Sequence, residues 1–379
     1  MNAKDQIEKL LALAGIKING LNDYDLRVFN EKLYSRVLAG GSMALGESYM
    51  DGWWDAKALD QFFYKVIIAR LDKKFKVNRK EFLMLLKNKF INLQSLLNST
   101  KVVKQHYDLG VMLFKSFLDP YNQYTCGYFK DTNDLNKAQE QKLDLICKKL
   151  GVQSKDKVLD IGCGWGGFAK FASEHYKCHV TGITISNEQA EYARQYTNGL
   201  PVNILKCDYR ELGEEKFDKI LICGMIEHVG YKNYRTIMEI LHKRLKNNGL
   251  FLLHTMGLSE SSILTDPWIE KYIFPNSMIP SMVQISKSIE GLFMVEDWHN
   301  FGAYYDKTLM AWFENFNKNW LKFKTLRDAS GQAKYSEHFY RMWKYYLLFF
   351  AANFRARNFQ LWQIVLSKNG VAGGYKSIR

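Results

Sequence analysis

Proline is scarce in this chain, five residues in 379, and its six cysteines form no C-x-x-C pair. With 47% hydrophobic residues and no repeat or low-complexity tract, the shortage of proline excludes a disordered or fibrous chain and implies folded structure throughout. The cysteines (126, 147, 163, 178, 207 and 223) have no histidine at zinc-ligand spacing, which argues against a disulfide framework, a structural zinc and any other metal site. Also missing is a run of about 18 apolar residues that would span a bilayer. The opening MNAKDQIEKLLALAGIKING is too short and too charged for a secretory signal, so a cytosolic protein is expected. Acidic residues are in deficit, 39 against 53 basic, for a net charge of +14, and an anionic surface is the expected partner. No nucleic-acid motif accompanies the charge, so nucleic acid is not expected.

The length suits one large or two ordinary domains. Residues 1–75 read as a small domain of short helices and turns around GGSMALGESYMDGWWD (40–55), with Gly40, Gly41, Gly46 and Gly52 punctuating it and Trp53 and Trp54 sealing a core or an interface. A basic connector follows at 76–104. From Arg70 to Lys104 there are ten Lys/Arg against Asp72 and Glu81, and FLMLLKNKFINLQSLL (82–97) interleaves them with apolar residues. That pattern suits a helix lying on anionic lipid or, equally, a linker helix with its apolar side on the core. From 105 to 379 strands and helices alternate: KVLDIG, a helix to about Tyr176, HVTGIT, a helix from Asn187, VNILKC, FDKILICG, a helix through HKRLKNNG, then LFLLHTMG. This rhythm predicts an α/β domain with a parallel sheet covered on both faces, its ligand at the carboxyl ends of the strands. Residues 258–290, with three of the five prolines, interrupt the rhythm and read as an insertion over the mouth of that site.

The most informative run is VLDIGCGWGGFA (158–169). Val158, Leu159 and Ile161 form a buried strand that ends near a carboxylate, Asp160. Gly162, Gly164, Gly166 and Gly167 then let backbone approach a ligand, and a helix from about Trp165 turns its free N–H groups toward the same place. The spacing nearly fits the G-x-G-x-x-G dinucleotide fingerprint. The next strand, HVTGITIS (179–186), ends in Thr184 and Ser186 rather than the acidic residue that grips a ribose in NAD enzymes. A carboxylate beside the loop disfavours a pyrophosphate and suits a sulfonium, which points to S-adenosylmethionine.

Ten segments extend this: GESYMDGWW (46–54), HYDLG (106–110), LDPYNQYTCGYF (118–129), the glycine run itself, GITISNEQ (182–189), GMIEHVG (224–230), LLHTMG (252–257), DPWIEKYIFPN (266–276), EDWHNFGAYYDKTLMAWFENF (296–316) and FRARNFQLWQ (354–363). In their joint order they resemble the cyclopropane fatty acid synthases, which include the mycolic acid cyclopropane synthases. Val111 and Met112, Thr125 and Met256 depart slightly from the family pattern. The resemblance implies a class I methyltransferase fold, Rossmann-like, with a seven-stranded, mostly parallel sheet and a small, mainly helical N-terminal domain. It also implies methylene transfer from S-adenosylmethionine across the cis double bond of unsaturated acyl chains in membrane phospholipids. By the same resemblance Tyr124, Thr125, Gly162, Gly164, Thr184, Gln189 and Asp208 line the cofactor pocket. Cys126, Glu227, His254, Met256 and Tyr305 hold a bicarbonate ion, the base of the reaction. Peripheral association with the inner face of the membrane follows, and a homodimer is compatible with it. The alternative on the same fold is another C- or N-methyltransferase acting on a lipid or small molecule; against an amino-adenine methylase, GMIEHVG has no proline.

The chemistry has matching demands. An alkene is a feeble nucleophile, so its π bond must be held in line with the methyl donor away from water. Attack produces a carbocation, which aromatic faces such as Tyr272, Phe274, Tyr304 and Tyr305 stabilise if they are not simply core. Ring closure needs a base in an apolar pocket. An anion held by Glu227, His254, Tyr305 and the Cys126 main chain reaches further than a fixed carboxylate, and Glu227 and the anion must share a proton because like charges so close repel. Glu227 and His228 as a metal pair are disfavoured by their divergence at a strand end, and Cys126 as a nucleophile by a chemistry that needs no thioether. His254 alone also reads as a core histidine. Asp208 suits an adenine amino group or a helix N-cap, and Arg355 and Arg357 suit a phosphate or an acid partner.

Overall fold

The computed structural model describes residues 1–71, 111–327 and 330–379. The basic connector (76–104) and the HYDLG segment lie outside the described residues. The described chain divides into two units.

One unit, residues 111–263, 276–305 and 360–379, is built on a sheet of seven strands among the described residues: β1 (Lys157–Ile161), β2 (His179–Thr184), β3 (Val202–Lys206), β4 (Phe217–Cys223), β5 (Leu245–Gly257), β6 (Met294–Asn300) and β7 (Gln360–Ser367). The spatial order is β3-β2-β1-β4-β5-β7-β6. The first five pair in parallel and β7 runs antiparallel to both β5 and β6. Every residue of β1 after Lys157 is buried, as a central parallel strand covered on both faces must be. The order reverses at β1, the switch point where open sheets of this kind bind ligands. On one face the helix Leu135–Leu150 sets Leu143, Ile146 and Leu150 against Val158, Leu221, Leu252 and Val365. On the other, Ile237, Met238 and Leu241 of the helix Tyr234–Arg244 join Ile220, Ile222, Phe251 and Leu253. That helix ends at Arg244 and does not run through KNNG as the sequence predicts, because Leu245 already pairs with Phe217 in a register irregularity ahead of the main ladder.

The other unit comprises residues 1–71, 264–275 and the described part of 306–359. Its centre is aromatic: Phe63 stands 4.8 Å from Tyr345 and 5.3 Å from Phe349, and Trp268 4.4 Å from Tyr345. The expected punctuation at 40–46 is corrected here. GGSMALGESYM lies within one helix, Lys32–Met50, kinked at Gly41 by a left-handed φ of 55°, and Gly46 is needed because a Cβ there would fall on the Trp268 ring. Trp54 is fully buried. The division also differs from boundaries drawn along the sequence, since 264–275 and the described part of 306–359 fall in one unit with the N-terminal residues. The insertion at 258–290 is thereby split. Its helix Pro267–Tyr272 belongs to this unit, and its helix Met282–Ile289 buries Ile285 and Ile289 in the core of the sheet unit. Arg355 is settled as an acid partner, holding Asp306 through two bonds of 2.9 Å and Asp60 at 2.6 Å.

Candidate active site

The glycine-rich turn is shaped by backbone first. Gly164 adopts φ +53° with nothing within 4 Å of where a Cβ would stand, which leaves room beside the chain for a ligand. Gly167 opens the helix Gly167–Tyr176 and packs so closely that a Cβ would fall on the Tyr121 carbonyl oxygen. Asp160, at the end of β1, is buried, and its Oδ2 has no hydrogen-bond partner. Burial pushes its carboxyl up to about 7, against the pull of the Lys142 charge. On β2, Thr184 donates to Gln189 Oε1 at 2.8 Å, and Ser186 caps the next helix by accepting from the Gln189 N–H. Asp208, after β3, caps a short 3-10 turn and is gripped by Arg210 at 2.7 and 2.9 Å. The N-cap expected as one option for Asp208 is therefore present.

Lys142 was not legible as a site residue. It is fully buried, donating to Gln123 Oε1 and to Thr125 Oγ1 at 3.0 Å. Burial lowers its pKa, opposed by Cys223, Asp119, Cys126 and Asp160. The available signal was its spacing: Leu135, Ala138, Lys142, Ile146 and Lys149 form one buried stripe on the helix Leu135–Leu150, so two lysines stand where apolar residues belong. Lys142 thereby holds the Gln123–Cys126 segment against the sheet. Thr125 meets Cys223 Sγ at 3.7 Å, Tyr124 packs edge-on to Phe114 at 5.3 Å, and Cys126 is buried with its thiol on the Gly127 carbonyl.

Glu227 follows β4 and His254 lies in the neighbouring β5. Cys223 is in register with His254, and the turn after β4 carries Glu227 back so that its Oε1 accepts from the Met256 N–H at 2.8 Å and the Thr255 hydroxyl at 3.0 Å. Met256, which the resemblance places at the anion, directs its N–H to Glu227. Burial raises the Glu227 carboxyl, opposed by these bonds. His254 Nδ1 lies 3.2 Å from Gln363 Nε2, and burial, reinforced by the Lys142 and Lys149 charges, holds the ring well below its ordinary pKa. Glu227 Oε2 and His254 Nε2 are both buried without a partner. Each such atom left bare costs about 1–3 kcal/mol, so each is suited to meet a polar guest.

Phe301 stands 5.9 Å from the His254 ring, and Tyr304 packs on Tyr128 and Phe129 at 5.6 and 6.1 Å. Tyr305 is buried in the first turn of the helix Ala303–Phe323. Tyr272 and Phe274 belong to the other unit, where Tyr272 donates to Glu47 at 3.0 Å and Phe274 packs on Tyr346 and Phe350.

Strand order, switch-point glycines and a carboxylate at the end of β1 together define a class, the S-adenosylmethionine-dependent methyltransferases. The family model described as mycolic acid cyclopropane synthetase matches residues 94–364. The cyclopropane-fatty-acyl-phospholipid synthase of Escherichia coli strain K12 is 48% identical over 371 residues, 98% of this chain and 94% of that one. A solved cyclopropane synthase from Mycobacterium tuberculosis superposes with a TM-score of 0.64 at 28% identity, over 71% of this chain and 98% of its own. A mycolic acid cyclopropane synthase solved with SAH and CTAB gives 0.64 at 30% identity over the same shares. The chain belongs to the mycolic acid cyclopropane synthetase family.

Proposed function

We propose that this protein transfers a methylene group from S-adenosylmethionine across the cis double bond of unsaturated phospholipid acyl chains, forming cyclopropane chains through a carbocation, with bound bicarbonate as general base. The observation that carries the reading is the buried, unpartnered pair Glu227 Oε2 and His254 Nε2 at the strand ends that also carry the glycine turn. The identity of nearly half the residues with the Escherichia coli synthase over almost the whole chain supports the same reaction, and the neighbour solved with SAH supports the cofactor.

When bound, the cofactor supplies an electrophilic methyl carbon and bicarbonate supplies a base. The chain's own residues do the rest. Asp160, once ionised, attracts the sulfonium. Gly164 admits the ligand to the turn, and Thr184 and Gln189 fix one wall. Glu227, with its carboxyl raised by burial, carries a proton at Oε2 that it shares with an anion instead of repelling it. His254, neutral, presents Nε2 to the same anion, and Cys126 and Tyr305 complete the holder. Phe301, Tyr304 and Tyr128 line the approach with aromatic faces suited to a cation.

No helix among the described residues is long and apolar enough to cross a membrane. The charge of +14 supports peripheral attachment to the anionic inner face of a bilayer, the proposed source of substrate. The test is incubation with S-adenosylmethionine and vesicles of unsaturated phospholipid, followed by mass spectrometry of the acyl chains. A gain of one methylene with loss of the olefin is expected. An olefin-retaining methyl gain, or methylation of the head group, would assign the protein to the alternative methyltransferase reading.

A further inference from the structure

The sheet places Gln363 where no sequence signal assigned it a role. It is fully buried at the centre of β7, in register with His254 on β5 and His299 on β6, so all three side chains share one face. It also interrupts an otherwise apolar run, LWQIVL, in a strand covered on both faces. A buried amide in such a position costs stability unless it has a task. Its carboxamide nitrogen stands 3.2 Å from His254 Nδ1, and an amide N–H can only donate.

We infer that Gln363 is a positioning residue that fixes the tautomer of His254: by donating to Nδ1 it keeps the ring proton on Nε2, so that His254 meets the oxyanion of the proposed site as a hydrogen-bond donor. A histidine with the proton on Nδ1 would present a lone pair at Nε2, repelling an anion it is meant to hold. The neutral ring needs this help, because burial and the neighbouring Lys142 and Lys149 charges keep it from donating through both nitrogens as an imidazolium. Phe301, 5.9 Å from the imidazole, limits ring rotation without supplying a hydrogen bond. The inference rests on the bicarbonate reading for its consequence and on the Gln363 to His254 contact for its geometry, and the two are separable.

The direct test is 15N NMR of the full-length protein labelled at histidine, with the His254→Gln spectrum identifying the resonances. The wild type is expected to show His254 protonated at Nε2, with Nδ1 shifted as a hydrogen-bond acceptor, independent of activity. Protonation at Nδ1 would overturn the inference whatever the enzyme does. In Gln363→Met, close in volume and without the donor, the Nδ1 resonance should move to that of an unbonded nitrogen. The bicarbonate concentration that half-saturates turnover should rise about tenfold, the scale of loss when an orienting partner of a ligating histidine is removed, while the dissociation constant for S-adenosylmethionine stays unchanged. Where wild-type turnover depends on bicarbonate, an unchanged requirement in Gln363→Met would also overturn it. If the wild type shows Nε2 protonation yet its turnover is indifferent to bicarbonate, the anion reading falls and the tautomer assignment stands.

Discussion

Asp160 and Lys142 form the sharpest test among single residues. A carboxyl whose folded pKa stands near 7, against 3.8 ordinarily, keeps its proton in the native state where the unfolded chain has lost it. It therefore stabilises the ligand-free protein below about pH 4 and loses that contribution as pH rises through 7. Binding of a sulfonium runs the opposite way, since it needs the carboxylate. The affinity for S-adenosylmethionine, measured by calorimetry, should accordingly strengthen as pH rises through 7. Asp160→Asn should bind about tenfold or more weakly, ~1.4 kcal/mol, with that pH dependence gone; a variant that kept both would contradict the role given to the carboxylate. Lys142→Met removes the charge that lowers the Asp160 pKa, so the pH midpoint of binding should move up. At this scale the glycines and Asp160 stand out in the sequence by their spacing in one run, whereas Glu227 and His254 were singled out through the family resemblance. Lys142 and Gln363 were not, because each hides in an apolar pattern and is revealed only by what the neighbouring element places against it.

Strands β1 to β5 were readable from alternation alone, since buried parallel strands are continuous apolar runs between turns. The antiparallel pair β6 and β7 was not, because its partners lie far apart in sequence: Gln363 is in register with both His254 and His299. The helix over residues 40–50 was missed for a different reason. Glycine lowers helix propensity, but here Gly46 is kept for contact with Trp268 and tertiary packing overrides the local preference. The joint between the helix Gly167–Tyr176 and the segment before it is similarly tight. Gly167→Ala is expected to destabilise the protein by about 1–3 kcal/mol, the range for overpacking, and to lower the melting temperature in calorimetry; a neutral result would mean that the Tyr121 carbonyl moves freely.

At the scale of the whole molecule, a net charge of +14 accompanies a buried set of polar side chains that includes Asp160, Glu227 and His254. Attraction to an anionic bilayer is screened by salt, so turnover on anionic vesicles should fall between about 0.1 M and 1 M salt, as the Debye length contracts from about 10 Å to 3 Å. Turnover indifferent to salt would detach the charge of +14 from substrate capture. Glu227→Ala should still bind S-adenosylmethionine, because its contacts are with Thr255 and Met256 rather than with the glycine turn, yet turn over at least a hundredfold more slowly, on the scale of ~10²–10⁴ for lost acid–base assistance. The central claim, that a trapped base removes a proton from the transferred methyl group, is tested most directly by supplying S-adenosylmethionine with a fully deuterated methyl and unsaturated phospholipid vesicles, then weighing the modified acyl chains. The account requires a ring carbon that retains two of the three deuterons; retention of all three would mean that the carbon was delivered as a methyl group and that no base acts on it.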